Sequence, residues 1–179
     1  TVVGKGKAVI AKIATSGIYH MSVNGKFVCY GPARAGRGFF RVDEIDLTPF
    51  ADQEKNTVII EVCGYNARSY YLIKQDSFLT AELSADGRVE AYTGNNFTAR
   101  INPEYIKKIQ RYSFQRPFAE SYRIIEGDTY FTDAVQGTEP LSGMPQPEYL
   151  KRSTPYPLYE KTAAKRILGG TFSFSERDE

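Results

Sequence analysis

Ile18-Tyr19-His20-Met21-Ser22-Val23-Asn24-Gly25-Lys26-Phe27-Val28-Cys29-Tyr30 decides how this chain is read. Two runs rich in β-branched and aromatic residues flank Asn24-Gly25. Asn-Gly is the strongest short hairpin signal, because a type I′ turn needs φ > 0 at both central positions. A two-residue loop sets Val23 opposite Lys26, Met21 opposite Val28 and Tyr19 opposite Tyr30. That register places Tyr19, Met21, Val23, Val28 and Tyr30 on one face, the expected core face. His20 and Cys29 become cross-strand neighbours on the other.

The pattern outward from this hairpin stays β. Ala8 to Ile13 reads as a strand, and Phe39 to Leu47 as another after the glycine-rich stretch Gly31 to Gly38. Thr48-Pro49-Phe50 has the form of an N-cap followed by proline at the first helical position, which predicts a single turn. Thr57 to Cys63 is β-branched and apolar on nearly both faces, so a central strand is expected. A second hairpin runs from Phe78 to Thr93 through Asp86-Gly87. A two-residue loop there would set Leu83 beside Glu90 and mix the faces. A three-residue loop that includes Ala85 pairs Leu83 with Val89 and Ala81 with Ala91, and is preferred. Phe97 to Ile101 reads as a short strand. Asn102-Pro103-Glu104 resembles a helix start, with one or two turns over Tyr105 to Gln110.

Short strands separated every ten or so residues by turn signals predict an all-β sandwich or barrel. From about Gly127 the texture changes. Pro140, Pro145, Pro147, Pro155 and Pro157 predict extended chain, ordered by packing against something else. The division expected is a β-sandwich domain over 1–126 and a proline-rich linker or strap over 127–179. Residues 159–174 fit helix and strand equally.

Composition narrows the function classes. At 179 residues, a single domain with an appendage can bury roughly 70% of its unfolded surface and needs no disulfide framework. Hydrophobic residues at 41% and charged residues at 25% exclude a disordered tail. The net charge of +2 makes no electrostatic case for nucleic acid. No apolar run approaches the ~20 residues of a membrane span, and no charged-then-apolar signal segment opens the chain. Neither nucleic acid nor membrane is therefore expected as a partner. The first residue, Thr1, is expected to mark a processed or excised piece. Cys29 and Cys63 cannot supply a four-thiolate site, and His20 as the single histidine excludes sites needing two.

Several groups carry chemistry worth naming. His20 beside Cys29 is a conceivable nucleophile pair, but no orienting group or oxyanion hole is marked; two side chains abutting on a sheet is the plainer account. Asp43, Glu44 and Asp46 offer the hard oxygens that Ca²⁺ takes, without EF-hand spacing; the plainer account is a solvated strand end. No other cofactor is expected. Arg34 and Arg37, in a glycine-rich loop lacking the Lys-Ser/Thr of a P-loop, suit polar contacts to a sugar or a neighbouring domain. Tyr65, Asn66, Arg68 and Tyr70 combine rings that stack on a sugar's apolar face with groups that bond its hydroxyls. Arg111, Tyr112, Phe114, Arg116, Phe118 and Tyr122 form a stretch dense in arginine and aromatics, as protein interfaces are, and are assigned to interdomain contact.

Taken in order, Tyr19 to Lys26, Gly31-Pro32-Ala33-Arg34, Phe40 to Pro49, Asn56 to Val62, Gly64-Tyr65-Asn66, Ser69-Tyr70-Tyr71, Ala85 to Arg88, Gln110 to Phe118 and Glu120-Ser121-Tyr122 resemble a known region. It is the N-terminal accessory β-sandwich of bacterial α-L-rhamnosidase-like glycoside hydrolases. Arg152-Ser153-Thr154-Pro155-Tyr156-Pro157 looks like the link that leads to later domains. The resemblance covers nearly the whole chain and implies a galactose-binding-like jelly roll inside a larger enzyme. Catalysis in that family resembles inverting hydrolysis by two carboxylic acids on a helical barrel further along. No catalytic residue carries over to this chain, and the implied partner is the catalytic domain of the same polypeptide. The alternative is an independent carbohydrate-binding module; the absence of tryptophan departs from dedicated sugar binders.

Overall fold

The structure is a computed structural model that describes residues 1–65, 67–68, 70, 73–106, 109–110, 113, 115, 119–125, 135–136, 147–166 and 169–171. In chain order the strands are β1 (Val2–Val3), β2 (Val9–Thr15), β3 (Ile18–Val23), β4 (Lys26–Gly31), β5 (Phe39–Asp46), β6 (Lys55–Asn56), β7 (Val58–Cys63), β8 (Leu79–Ala85), β9 (Arg88–Tyr92), β10 (Thr98–Ala99), β11 (Val135–Gln136) and β12 (Glu148–Lys151). Two sheets carry the architecture. One has five strands in the order β12-β5-β2-β8-β9, the other three in the order β4-β3-β7. All their pairings are antiparallel except β12 against β5, which is parallel. Two short ribbons, β1-β6 and β10-β11, complete the strand set among the described residues. The expected all-β sandwich is what the chain forms.

The core lies between the sheets and follows the period-two alternation of the strands. Val9, Ala11 and Ile13 from β2 meet Tyr19, Met21 and Val23 from β3, with Ile45 and Leu47 beside them and Ala81, Leu83 and Ala85 from β8. A smaller cluster of Ala14, Phe40 and Phe78 sits on the other side of the five-stranded sheet, where the two phenylalanine rings meet edge to face at 4.6 Å.

Both hairpins turn through two residues and then bulge. Asn24 and Gly25 have φ of 52° and 75°, and Asp86 and Gly87 have 48° and 77°, the left-handed values a type I′ turn requires. Beyond the first turn Ser22 pairs with Phe27, but Met21 pairs with Cys29, leaving Val28 as the extra residue. Beyond the second, Ser84 pairs with Val89, but Leu83 pairs with Ala91, leaving Glu90 extra. The same device therefore stands at the same place in each second strand. A bulge reverses the facing of everything after it. Cys29 and Ala91 thus turn into the core, while Tyr30 and Tyr92 turn out.

This corrects several expectations. Tyr19 faces Gly31, not Tyr30, and Tyr30 is exposed. The second loop has two residues, and the mixing of faces that counted against it is repaired by the bulge. Val58–Cys63 stands at the edge of its sheet among the described residues rather than at its centre. Thr48–Pro49–Phe50 does form one turn, of 3₁₀ type, but Thr48 is not its cap; its hydroxyl accepts from the Val9 N–H instead, at 3.0 Å. Asn102 to Ile106 forms no helix: Asn102 Oδ1 accepts from the Glu104 N–H at 3.0 Å, and Tyr105 pairs with Tyr122 in an antiparallel bridge.

Candidate functional site

The sugar-site residues expected from sequence fall at one end of the sandwich. β4 ends at Gly31 and β7 at Cys63, on either side of the start of β3 at Ile18. The loop bearing Arg34 and Arg37 and the loop bearing Tyr65, Arg68 and Tyr70 therefore leave the same end of the three-stranded sheet, roughly 10 Å apart. Arg34, Arg37, Arg68 and Tyr70 are exposed. Tyr65 is half-buried, and burial first, then Cys63 and Tyr105 near it, push its hydroxyl pKa well up. Cys63 Sγ lies 3.3 Å from the Tyr105 hydroxyl, and the Tyr105 and Tyr122 rings meet edge to face at 5.5 Å. Burial raises both of these tyrosines to about 12. Asn66, Arg111, Tyr112, Phe114, Arg116 and Phe118 lie outside the described residues.

His20 and Cys29 are not neighbours on one face. The bulge at Val28 turns Cys29 inward beside Tyr19, while His20 faces outward with its Nδ1 3.0 Å from Glu61 Oε2. The other Glu61 oxygen accepts from Asn102 Nδ2 at 3.3 Å. A Cys-His nucleophile is therefore excluded by register.

The three acids of β5 do not converge either. Strand alternation sends Glu44 and Asp46 outward and Asp43 inward, where it is fully buried (0% exposed). Asp46 Oδ1 accepts from the Thr48 N–H at 2.9 Å. Among the described residues no three His, Cys, Asp or Glu side chains gather as a metal would need.

Asp43 instead anchors a buried polar cluster. Its Oδ2 accepts from the Tyr19 hydroxyl at 2.6 Å, and its Oδ1 from Arg152 Nη1 at 2.8 Å. Tyr19 belongs to the three-stranded sheet, Asp43 to the five-stranded sheet and Arg152 to the segment after β12. One carboxylate thus joins both layers and the C-terminal segment. The Arg152 fork is filled on its other sides by its own chain: Nε donates to the Thr154 carbonyl at 2.8 Å and Nη2 to the Pro155 carbonyl at 2.9 Å. The Tyr156 ring lies 4.1 Å from the guanidinium carbon, a cation–π contact.

Further anchors extend along this segment. Arg41 donates to the carbonyls of Arg34 and Lys151 and to Ser153 Oγ. The Glu44 N–H donates to the Tyr156 hydroxyl at 2.7 Å. The Tyr159 hydroxyl bonds both the N–H and the carbonyl of Tyr30, at 3.1 and 3.0 Å, at the edge of β4. Residues 147–159 are therefore a strap stitched to both sheets along one side of the sandwich. The motif Arg152-x-x-Pro155-x-Pro157 closes on itself through the arginine. In the sequence these residues read only as a link. The alternation Asp43-x-Ile45-x-Leu47 is the signal that places the carboxylate inside.

The thiol of Cys29 reports on this site. Burial pushes it up to about 11, with the Tyr19 hydrogen bond lowering it somewhat and the Asp43 charge raising it. Its folded pKa lies above the ordinary 9.0, so the stabilisation is present in full below pH 9 and is lost as pH rises through about 11. The unfolding free energy from urea titration is expected to fall in that window by roughly 1 kcal/mol per pH unit at most. Cys29→Ala should reduce the fall between pH 9 and 10, with the remainder coming from buried tyrosines whose unfolded counterparts ionise in the same window. An unchanged slope in the variant would contradict the assignment.

No protein-family model matches the chain, and no curated protein sequence does. Among solved structures, it is similar to a GH78 family rhamnosidase of Bacillus sp. GL1, with a TM-score of 0.68 and 20% sequence identity over 86% of this chain and 18% of that one. This protein therefore has the fold of one β-sandwich portion of a much longer rhamnosidase.

Proposed function

We propose that this chain is the non-catalytic accessory β-sandwich of an α-L-rhamnosidase-like glycoside hydrolase, and that it packs against the catalytic part of the same polypeptide. The observation that carries this reading is the proportion of the match: most of this chain corresponds to under a fifth of the rhamnosidase. The site chemistry agrees with it. The buried carboxylate Asp43 has both oxygens engaged by Tyr19 and Arg152, so it is held as a structural ion rather than poised for proton transfer. The stitched strap gives the chain a rigid exit, which suits a spacer that must orient a neighbouring domain.

Two assays test this. The chain alone is expected to release no aryl alcohol from an aryl α-L-rhamnoside, while the longer polypeptide encoded around it does. Turnover by these 179 residues alone would overturn the reading. A second reading, an independent carbohydrate-binding module, is favoured by the shared end of the Arg34/Arg37 and Tyr65/Arg68/Tyr70 loops. Calorimetric titration with rhamnose- and galactose-containing sugars separates the two: heat that saturates at millimolar sugar or below supports the module, and flat traces remove it.

A further inference from the structure

The two outer faces of the sandwich differ in how their apolar side chains are grouped. Over β2, β5, β8 and β9 the outward residues are Ile10, Lys12, Glu44, Asp46, Glu82, Ser84, Val89 and Tyr92, with Lys12 and Glu82 paired at 3.6 Å, so apolar side chains there are interleaved with charges. Over the three-stranded sheet, the outward residues include Ile18, Phe27, Tyr30 and Ile59, with His20 and Glu61 paired at the centre. Ile18 is 36% exposed, Phe27 39% and Tyr30 54%. Three strands of six residues present roughly 300 Å² of face, shared between these apolar side chains and Ser22, His20 and Glu61.

One occupant has already begun to cover it. The Tyr159 ring stands edge-on to Phe27 at 5.1 Å and to Tyr30 at 6.1 Å, and its hydroxyl caps the edge of β4. The strap thus leads from the buried Asp43 across the open side of the sandwich and onto this face. Leu158, beside it, is 84% exposed. On this path the face and the strap form one continuous apolar surface.

We propose that the outer face of β4-β3-β7, extended by Leu158 and Tyr159, is the docking surface for the folded domain that comes after the strap in the parent hydrolase. This rests on the accessory-domain reading. The partner surface it fits is apolar and aromatic, carrying one polar group that meets the His20–Glu61 pair and sets the register. Rings grouped around one polar pair give area from the rings and orientation from the pair.

The test uses the longer polypeptide and this chain side by side. Phe27→Lys and, at the far side of the face, Ile18→Lys each place a charge on the patch; Ser84→Lys does so on the opposite sheet. In the chain alone all three are expected to unfold within a few degrees of the parent sequence, since these side chains are partly or largely exposed. In the longer polypeptide, Phe27→Lys and Ile18→Lys are expected to speed proteolytic cleavage between the sandwich and the next domain by roughly tenfold, with Ser84→Lys unchanged. Equal cleavage rates in all of them would overturn the docking surface while leaving the accessory reading intact. A concentration-dependent dimer of the isolated chain that both lysines abolish, with cleavage unchanged, would assign the face to a second copy and also overturn it. A reading frame encoding no further domain would remove the accessory reading itself, and the docking surface with it.

Discussion

Arg152→Met is expected to lower the unfolding free energy by about 3–5 kcal/mol, because it leaves the Asp43 carboxylate buried without its cation. The Arg152 side chain is 9% exposed and that of Asp43 0%, so solvent screening does little to dilute the pair. The Tyr19 hydroxyl would remain as a single donor to the charge, which does not replace a guanidinium. The same substitution frees the carbonyls of Thr154 and Pro155, so the strap should loosen together with the core. Asp43→Asn is expected to cost less, since the amide keeps the shape and an acceptor for Arg152. The pair Arg152→Met with Asp43→Leu should recover most of the loss, as apolar replacement of a buried ion pair often does. Urea unfolding followed by two probes measures all of these. A cost below about 1 kcal/mol for Arg152→Met, the value of an exposed bridge, would show that the contact does not fasten the sandwich.

Gly31→Ala is expected to be the next most damaging change, at about 1–3 kcal/mol. The reason is space, since this glycine is not in the left-handed region. An added Cβ would overlap Asp43 Oδ2 and two atoms of the Tyr19 ring, the two groups whose bond crosses the sandwich. Neither can move without lengthening that bond, because the carboxylate is also held by Arg152. Gly36, five residues along the same loop, serves as the control. A Cβ there meets only the Phe39 ring at 3.7 Å, so Gly36→Ala should leave stability unchanged or slightly raised. A Gly31→Ala variant as stable as Gly36→Ala would contradict the close approach.

Much of the fold is legible in the sequence because each strand carries its own period-two pattern and each tight hairpin its own two turn residues. Asn24-Gly25 and Asp86-Gly87 can be read locally since the backbone angles they need are a property of those residues. The bulges cannot. Val28 and Glu90 are extra because the core opposite them must receive Cys29 and Ala91, a demand made by the second sheet. The edge position of Val58–Cys63 escapes for a related reason: its outward Ile59 and Cys63 look like burial in sequence, but they belong to the apolar outer face. Asp43 reads as a solvated strand end because its partner is 109 residues away in sequence. Local charge patterning cannot see an ion pair of that span. His20 and Cys29 show the cost of one missed bulge, which moves one of them from the outer face to the core.

Hydrogen exchange on the strap tests the central claim most directly, that residues after Pro147 are part of the sandwich and not a loose connection. The Glu148 N–H donates to the Gly38 carbonyl at 3.1 Å, and β12 runs in register with β5 from Phe39 to Val42. Amides of Glu148–Lys151 are expected to exchange orders of magnitude more slowly than an unstructured chain, and to lose that protection in Arg152→Met, while those of β2 and β8 stay protected but fall by the loss in global stability. Exchange of Glu148–Lys151 at the rate of free peptide in the unsubstituted protein, with β2 and β8 protected, would contradict it.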